Sequence, residues 1–130
     1  MGNYENNAFF WQKIDTLVFS SKFVIQKKKG EPHPVYKNLI YPVDYGKYID
    51  LAADSNEGGI SVFRGSQKNS MVTTAVVSAD ILQKKLDVML LVRCSKEEED
   101  QILRFLNQTD SMKTVLIRRS NDIPEWGLTD

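Results

Sequence analysis

The stretch "LDVMLLVRCSKEEEDQILRFLN" (residues 86–107) decides the class of the fold, because a strand pattern passes directly into a helix pattern. The apolar run Met89–Val92 predicts a strand that is buried along its C-terminal half. Ser95 and Glu98 then form a capping box, which predicts a helix that continues to about Asn107. The stretch therefore indicates a protein that contains both β-strands and α-helices.

Outward from this unit, four further segments have the β-branched or alternating composition of strands. They are "KFVIQKKKG" (22–30), "ISVFRG" (60–65), "SMVTTAVVS" (70–78) and "KTVLIRR" (113–119). Apolar residues at helical spacing predict one more helix over 7–19, and "ADILQKK" (79–85) predicts a short connection. Because helices do not alternate regularly with these strands, we expect an α+β fold with a small closed, OB-like β-barrel and helices outside it.

The length of 130 residues predicts a single domain, 1–130, and its last segment, 121–130, is predicted to be a tail held by Trp126. The chain has 17 basic and 17 acidic residues, so a general nucleic-acid binder, which usually has a basic excess, is not expected. No apolar run is long enough to cross a bilayer and no N-terminal signal is found, which predicts a cytoplasmic protein without a membrane partner. With one cysteine and one histidine a structural zinc site is excluded, and Cys94 is predicted to be a buried or half-buried thiol.

The segment "NLIYPVDYGKYI" (residues 38–49) is unusual because it contains three tyrosines, Tyr41, Tyr45 and Tyr48. An ordinary buried strand needs no phenol, and a solvated loop would not keep so many apolar neighbours. Two interpretations stay open from the residues alone: the rings pack at the rim of a sheet, or their hydroxyls face something polar.

The segment "IYPVDYG" (40–46), followed by "EGGISVFRG" (57–65), resembles the soluble, metal-dependent inorganic pyrophosphatases of the family I type. The resemblance extends from "FVIQKKKGEPHP" to "MKTVLIRR", and so covers roughly residues 23–119. It implies a pyrophosphatase-like barrel, a homo-oligomer, and a small anionic ligand such as phosphate, pyrophosphate or a nucleotide. Hydrolysis of so highly charged a substrate normally uses Mg²⁺ ions that neutralise phosphate oxygens and activate water.

Carried onto this sequence, the resemblance implies that a set of tyrosine and lysine side chains binds phosphate. These residues are Lys29, Tyr41, Tyr45, Lys47 and Lys85. Pro42 and Gly46 also match the family pattern, and Asp44 stands where the family usually has asparagine. Hydroxyl and ammonium groups of this kind bind oxyanions through charge-assisted hydrogen bonds.

The metal-binding half of the family pattern is largely replaced. Asn56, Gly58 and Ser61 stand where the family has three aspartates. Of the family's metal ligands, the resemblance leaves only Asp80 in place. Asp54 and Glu57 lie close in sequence to the replaced loop positions and are the expected substitutes. Because Mg²⁺ dehydrates reluctantly and needs carboxylate oxygens, the expected hydrolysis of diphosphate is weak or lost.

Three functions remain open: a phosphate-binding protein with a damaged metal site, an active atypical Mg²⁺-dependent pyrophosphatase, and a non-catalytic oligomeric scaffold. The number of carboxylates that face the tyrosines separates the first two, since three or more would favour the enzyme. His33, between two prolines, is predicted to lie at the surface, and Arg64, Arg118 and Arg119 are predicted to be surface charges of strands.

Overall fold

A computed structural model describes residues 6–52, 58–68 and 72–119, which form two helices and six strands. In chain order these are α1 (Ala8–Phe19), β1 (Ser21–Lys27), β2 (Asp44–Asp50), β3 (Ile60–Arg64), β4 (Val72–Asp80), β5 (Lys85–Val92), α2 (Lys96–Asn107) and β6 (Met112–Arg118). The predicted α+β class is confirmed. Three earlier predictions, for Asp54, Glu57 and Trp126, concern residues outside these ranges.

The predicted closed barrel is wrong, because the six strands form one open sheet in the order β1-β2-β3-β5-β4-β6. Neighbouring strands are antiparallel except β3 and β5, which are parallel. The first three strands form a meander, and the β4–β5 hairpin joins this meander through the pairing of β5 with β3. A helix covers part of each face of the sheet, so two cores form without closure, while Leu86, Val88 and Val115 on the strands stay exposed.

The two helices pack on opposite faces and create two separate cores. On one face Trp11 of α1, which is fully buried, packs with Val62, Leu90 and their neighbours. On the other face the α2 residues Ile102, Phe105 and Leu106 pack against β3, β4 and β5. The alternation of side chains along each strand assigns successive residues to these two cores.

Both helices begin at side-chain caps. In α1, Asn7 accepts a hydrogen bond from the N–H of Phe10 at 3.0 Å. In α2, Ser95 and Glu98 form the predicted capping box, with both reciprocal bonds present, and the helix ends at Asn107 as expected. Among the described residues, no helix has the length and apolar character needed to span a membrane.

A buried ion pair joins α1 to the end of β6. Arg119 donates from Nη1 and Nη2 to the two carboxylate oxygens of Asp15, at 2.9 and 2.8 Å. Both side chains are only 3% exposed, and Arg119 also donates to the carbonyl of Val72. The prediction that Arg119 is a surface charge is therefore wrong. The main chain of Arg119 continues the pairing with β4, since its N–H donates to the carbonyl of Thr73, and its guanidinium lies over the ring of Trp11 in α1.

The strand β6 lies at one edge of the sheet, and two side-chain amides bond its outer main-chain groups. The N–H of Thr114 donates to Oδ1 of Asn107 at 2.7 Å. The side-chain amide of Asn6 donates to the carbonyl of Arg118. Main-chain groups at a sheet edge are otherwise open to pairing with another chain, so these bonds close part of the edge.

Cys94 follows β5 and is half-buried, as predicted. Burial, together with the nearby carboxylate of Glu98, raises the pKa of its thiol to about 12. Since the thiolate is the reactive form, this cysteine is a packing residue rather than a nucleophile.

Candidate functional site

A cavity of about 50 Å³ lies on the α2 side of the sheet, and we call it the tyrosine cavity. Its apolar wall consists of Tyr41, Tyr45, Phe63, Met89, Phe105, Leu106 and Met112, and its polar wall consists of His33, Ser78, Asp80, Gln83, Lys85 and Asp87. The volume is enough for about four water molecules, since each needs roughly 10–15 Å³ of such space. The cavity is therefore small, and half of its wall is able to form hydrogen bonds.

The two tyrosines of the family-like motif are both core residues and cavity residues. Tyr41 stacks on Tyr45 with ring centroids 5.4 Å apart, and it also packs on Phe105 with ring centroids 4.7 Å apart. Tyr45 lies opposite Phe63 in the β2–β3 register, with ring centroids 5.0 Å apart. Burial, with a smaller contribution from Tyr45, raises the pKa of Tyr41, so its phenol keeps its proton and remains a donor. The rings thus pack as a cluster that forms one wall of the tyrosine cavity.

The polar wall comes mainly from the β4–β5 hairpin, where cross-strand pairs bring four polar residues to one face. Asp80 pairs with Lys85, and Ser78 pairs with Asp87. Lys85 Nζ lies 3.2 Å from Oδ2 of Asp87, which makes a partly exposed ion pair. The ammonium is therefore partly neutralised before any ligand arrives.

Asp80 holds the hairpin turn together. Its Oδ1 accepts hydrogen bonds from the N–H of Gln83 at 3.0 Å and from the hydroxyl of Tyr36 at 2.8 Å. Its Oδ2 accepts from Nε2 of Gln83 at 2.9 Å. Burial alone would raise the pKa of Asp80, but the hydrogen bonds from Gln83 and Tyr36 lower it below its ordinary value. Asp80 is therefore an ionised carboxylate whose two oxygens already have donors.

His33 is half-buried and lines the tyrosine cavity, whereas the sequence predicted it at the surface. Its ring stacks on the ring of Tyr41, with centroids 5.9 Å apart and an interplanar angle of 10°. Its Nδ1 accepts hydrogen bonds from the N–H groups of Val35 at 3.0 Å and Tyr36 at 3.1 Å. Burial and then the charge of Lys85 lower the pKa of His33, although Asp80 opposes this shift. The imidazole is therefore neutral at neutral pH and organises the turn that follows it.

We expect the free energy of unfolding to fall as the pH is lowered from neutral through 6.5, the ordinary pKa of His33. The pKa of His33 is lowered in the folded protein, so the unfolded chain takes up the proton first, near its ordinary pKa of 6.5. The loss of stability begins near this pH and continues until the pH reaches the pKa that His33 has in the folded protein. Urea unfolding at a series of pH values measures it, and His33 is the chain's single histidine.

His33→Asn is the control for this pH dependence, because an asparagine Oδ1 can accept the same main-chain N–H groups but does not titrate. We expect a flat profile for the variant over the same range. A wild-type profile as flat as that of the variant would contradict the assignment.

The structure does not bring all of the predicted phosphate-binding residues together. Tyr41, Tyr45 and Lys85 line the tyrosine cavity, but Lys29 lies in a separate depression beside Asp44. Lys47 lies opposite Ser61 in the β2–β3 register and is not part of the cavity wall. Of the predicted metal ligands, Asp80 lines the cavity, while Asp54 and Glu57 lie outside the described residues.

Sequence reasoning missed Asp87 and Ser78 as cavity residues, and a signal for both was present. In β5 the residues Lys85, Asp87 and Met89 alternate with Leu86 and Val88, which is the period of a strand. That alternation places Asp87 on the same face as Lys85. Ser78 follows in the same way, two residues before Asp80 in β4.

The described residues do not fit a multinuclear metal centre. Within ranges 6–52, 58–68 and 72–119, no group of three or more His, Cys, Asp or Glu side chains is placed to hold a metal ion. Two carboxylates, Asp80 and Asp87, line the tyrosine cavity as diagonal neighbours on β4 and β5, a relation that puts Cα atoms about 7–8 Å apart. Both oxygens of Asp80 already accept hydrogen bonds, and Oδ2 of Asp87 is paired with Lys85.

Comparison with protein-family models and with curated proteins finds no match to this chain. The likeness to the pyrophosphatases therefore rests on the motif residues.

Proposed function

We propose that this chain is a cytoplasmic, pyrophosphatase-like protein that binds phosphate or diphosphate in the tyrosine cavity and hydrolyses diphosphate weakly or not at all. The observation that carries the proposal is the convergence of Tyr41, Tyr45, Asp80 and Lys85 on one cavity. These residues are 44 positions apart at the extremes, and all four are site residues that the resemblance implies.

The donors of the cavity wall support an oxyanion as the ligand, while the carboxylates of Asp80 and Asp87 oppose one. The phenol hydroxyls of Tyr41 and Tyr45 and the ammonium of Lys85 are donors, and phosphate oxygens are strong acceptors. A volume of about 50 Å³ matches a single phosphoryl group better than a nucleotide. The rest of a larger ligand would extend to the open side of the cavity.

The carboxylates explain why hydrolysis is expected to be weak. Mg²⁺ is usually held by one or two carboxylates together with substrate phosphates, and it gives up water reluctantly. To bind it, Asp80 would release Gln83 or Tyr36, and this change opposes metal binding. The partly exposed pair of Asp87 with Lys85 is a weaker obstacle.

The presence of Asp87 favours one second candidate, an active Mg²⁺-dependent pyrophosphatase. With Asp80 it supplies two carboxylates in the tyrosine cavity, and Asp87 was not among the predicted ligands. This candidate needs Asp54 or Glu57 as further ligands and a metal ion that arrives together with diphosphate.

We expect wild-type protein to bind diphosphate in calorimetric titration, and Lys85→Met to weaken binding by about tenfold, because a charge-assisted hydrogen bond is lost. Lys84→Met is the matched control, since Lys84 directly precedes Lys85 in the sequence and is not part of the cavity wall. Equal affinity in both variants would contradict the assignment of Lys85. A wild-type protein that binds neither phosphate nor diphosphate would leave only the scaffold function.

The same protein is assayed for phosphate release from diphosphate with and without excess Mg²⁺. We expect no turnover in the usual range of enzymes, which is about 1–1000 s⁻¹. Turnover in that range, lost in Asp80→Ala or Asp87→Asn, would establish the second candidate instead.

A further inference from the structure

Two side chains to which the resemblance assigns no role, His33 and Ser78, line the tyrosine cavity, and both carry hydrogen-bonding groups. For His33 the tautomer follows from its partners. Its Nδ1 accepts two main-chain N–H groups, so the proton of the neutral ring is on Nε2. The His33 ring stacks on Tyr41 and packs on Phe105, whose ring centroid lies 6.0 Å away, and these neighbours hold it in one orientation. His33 therefore has a fixed N–H donor that the turn does not use.

The hydroxyl of Ser78 provides the independent observation. Ser78 is 3% exposed and lines the tyrosine cavity, yet its Oγ has no hydrogen-bond partner among the described residues. Thr114, its direct neighbour on β6, likewise has a buried Oγ1 without a partner. A buried hydroxyl without a partner costs roughly 1–3 kcal/mol, which indicates that a water molecule or a ligand in the cavity bonds to it.

We propose that His33 Nε2 and Ser78 Oγ are ligand-binding groups that donate hydrogen bonds to a tetrahedral oxyanion in the tyrosine cavity. The inference deepens the proposed function and rests on it for the class of ligand. Both donors are neutral, and so they add affinity for phosphate oxygens without a further positive charge. The ammonium of Lys85 is already paired with Asp87, so its charge attracts an anion less strongly, and further donors are needed to hold the phosphate oxygens.

We expect the ligand to be orthophosphate or one phosphoryl group of diphosphate, because the cavity that the two residues line is small. Ser78 lies on β4 beneath α2, while His33 lies on the loop that covers Tyr41. An oxyanion between them would accept from the sheet and from the loop together. The cavity volume of about 50 Å³ leaves little space beyond that group.

Calorimetric titration with orthophosphate and with diphosphate tests the inference in three variants. Ser78→Ala removes the hydroxyl, and His33→Asn keeps an acceptor for the turn but removes the Nε2 donor. Thr109→Val is the control, since Thr109 also has a buried hydroxyl without a partner but lines a different depression. We expect about tenfold weaker binding in each of the first two variants and unchanged binding in the control.

Two further readouts separate a binding role from a structural one. Ser78→Ala is expected to unfold at the same urea concentration as wild type or a higher one, because the hydroxyl it removes has no protein partner. The ¹⁵N resonances of His33 are expected to show the Nε2–H tautomer in the free protein and to shift when orthophosphate is added.

The outcomes distinguish the inference from the proposed function. Wild-type protein that binds while Ser78→Ala and His33→Asn bind equally well would overturn the inference and leave the proposed function in place. Wild-type protein that binds neither anion would overturn both. A free-protein tautomer with the proton on Nδ1 would overturn the assignment of His33 alone.

Discussion

Asp15→Ala is expected to lower the free energy of unfolding by about 3–5 kcal/mol, because it leaves a buried guanidinium without its carboxylate. Asp15 and Arg119 are both only 3% exposed and share two hydrogen bonds of 2.9 and 2.8 Å. The pair is also the link between α1 and the end of β6. Its loss therefore disturbs the contact between the first and last elements of the described fold.

Urea denaturation followed by circular dichroism measures this loss, and the double variant Asp15→Leu with Arg119→Met is the control. Replacing both partners of a buried ion pair by apolar residues is often neutral, whereas removing one partner is not. We therefore expect the double variant to recover most of the stability that Asp15→Ala loses. A single variant as stable as wild type, or a double variant less stable than the single one, would contradict this account of the pair.

Gly46→Ala is expected to destabilise the protein by about 3 kcal/mol, near the upper end for added volume in a packed site. A β-carbon at position 46 would overlap the carbonyl oxygen of Val24 and lie 2.9 Å from Cα of Ile25. Both are main-chain atoms of the neighbouring strand β1, and they cannot move away as a flexible side chain could. Close approach of β1 and β2 therefore requires glycine at this position, and the glycine of the family-like motif has a structural reason.

The stability of Gly46→Ala is compared with that of Gly58→Asn by thermal and urea unfolding. Gly58 has a positive φ of 73°, which asparagine tolerates, and a β-carbon there would meet nothing within 4 Å. We expect the asparagine variant to stay within about 1 kcal/mol of wild type. Equal losses at the two positions would show that the contact with β1 is not the cause.

Most elements of the fold were predictable from the sequence because their signals are local, whereas β2 (Asp44–Asp50) was not predicted as a strand. The capping box of α2 and the apolar half of β5 each depend on residues within one turn or one strand. The order of strands in the sheet was not predictable in this way. The parallel contact between β3 and β5 joins segments about 30 residues apart, and nothing in either segment distinguishes an open sheet from a barrel.

The candidate site was predictable only where a motif names its residues. Tyr41, Tyr45, Asp80 and Lys85 were found through resemblance, and the structure brings them to one cavity. His33 was missed because its role depends on a turn that folds onto Tyr41. A half-buried histidine between prolines has no sequence signal that separates it from a solvated one.

The two amides that bond the outer side of β6 bear on how copies of this chain could associate. A further strand that joined the sheet beside β6 would first have to displace Asn107 from Thr114 and Asn6 from Arg118. Growth of the sheet from one molecule into the next is therefore disfavoured at that border. If the protein forms a homo-oligomer, its subunits are expected to meet through side-chain surfaces rather than through a shared hydrogen-bond ladder at β6.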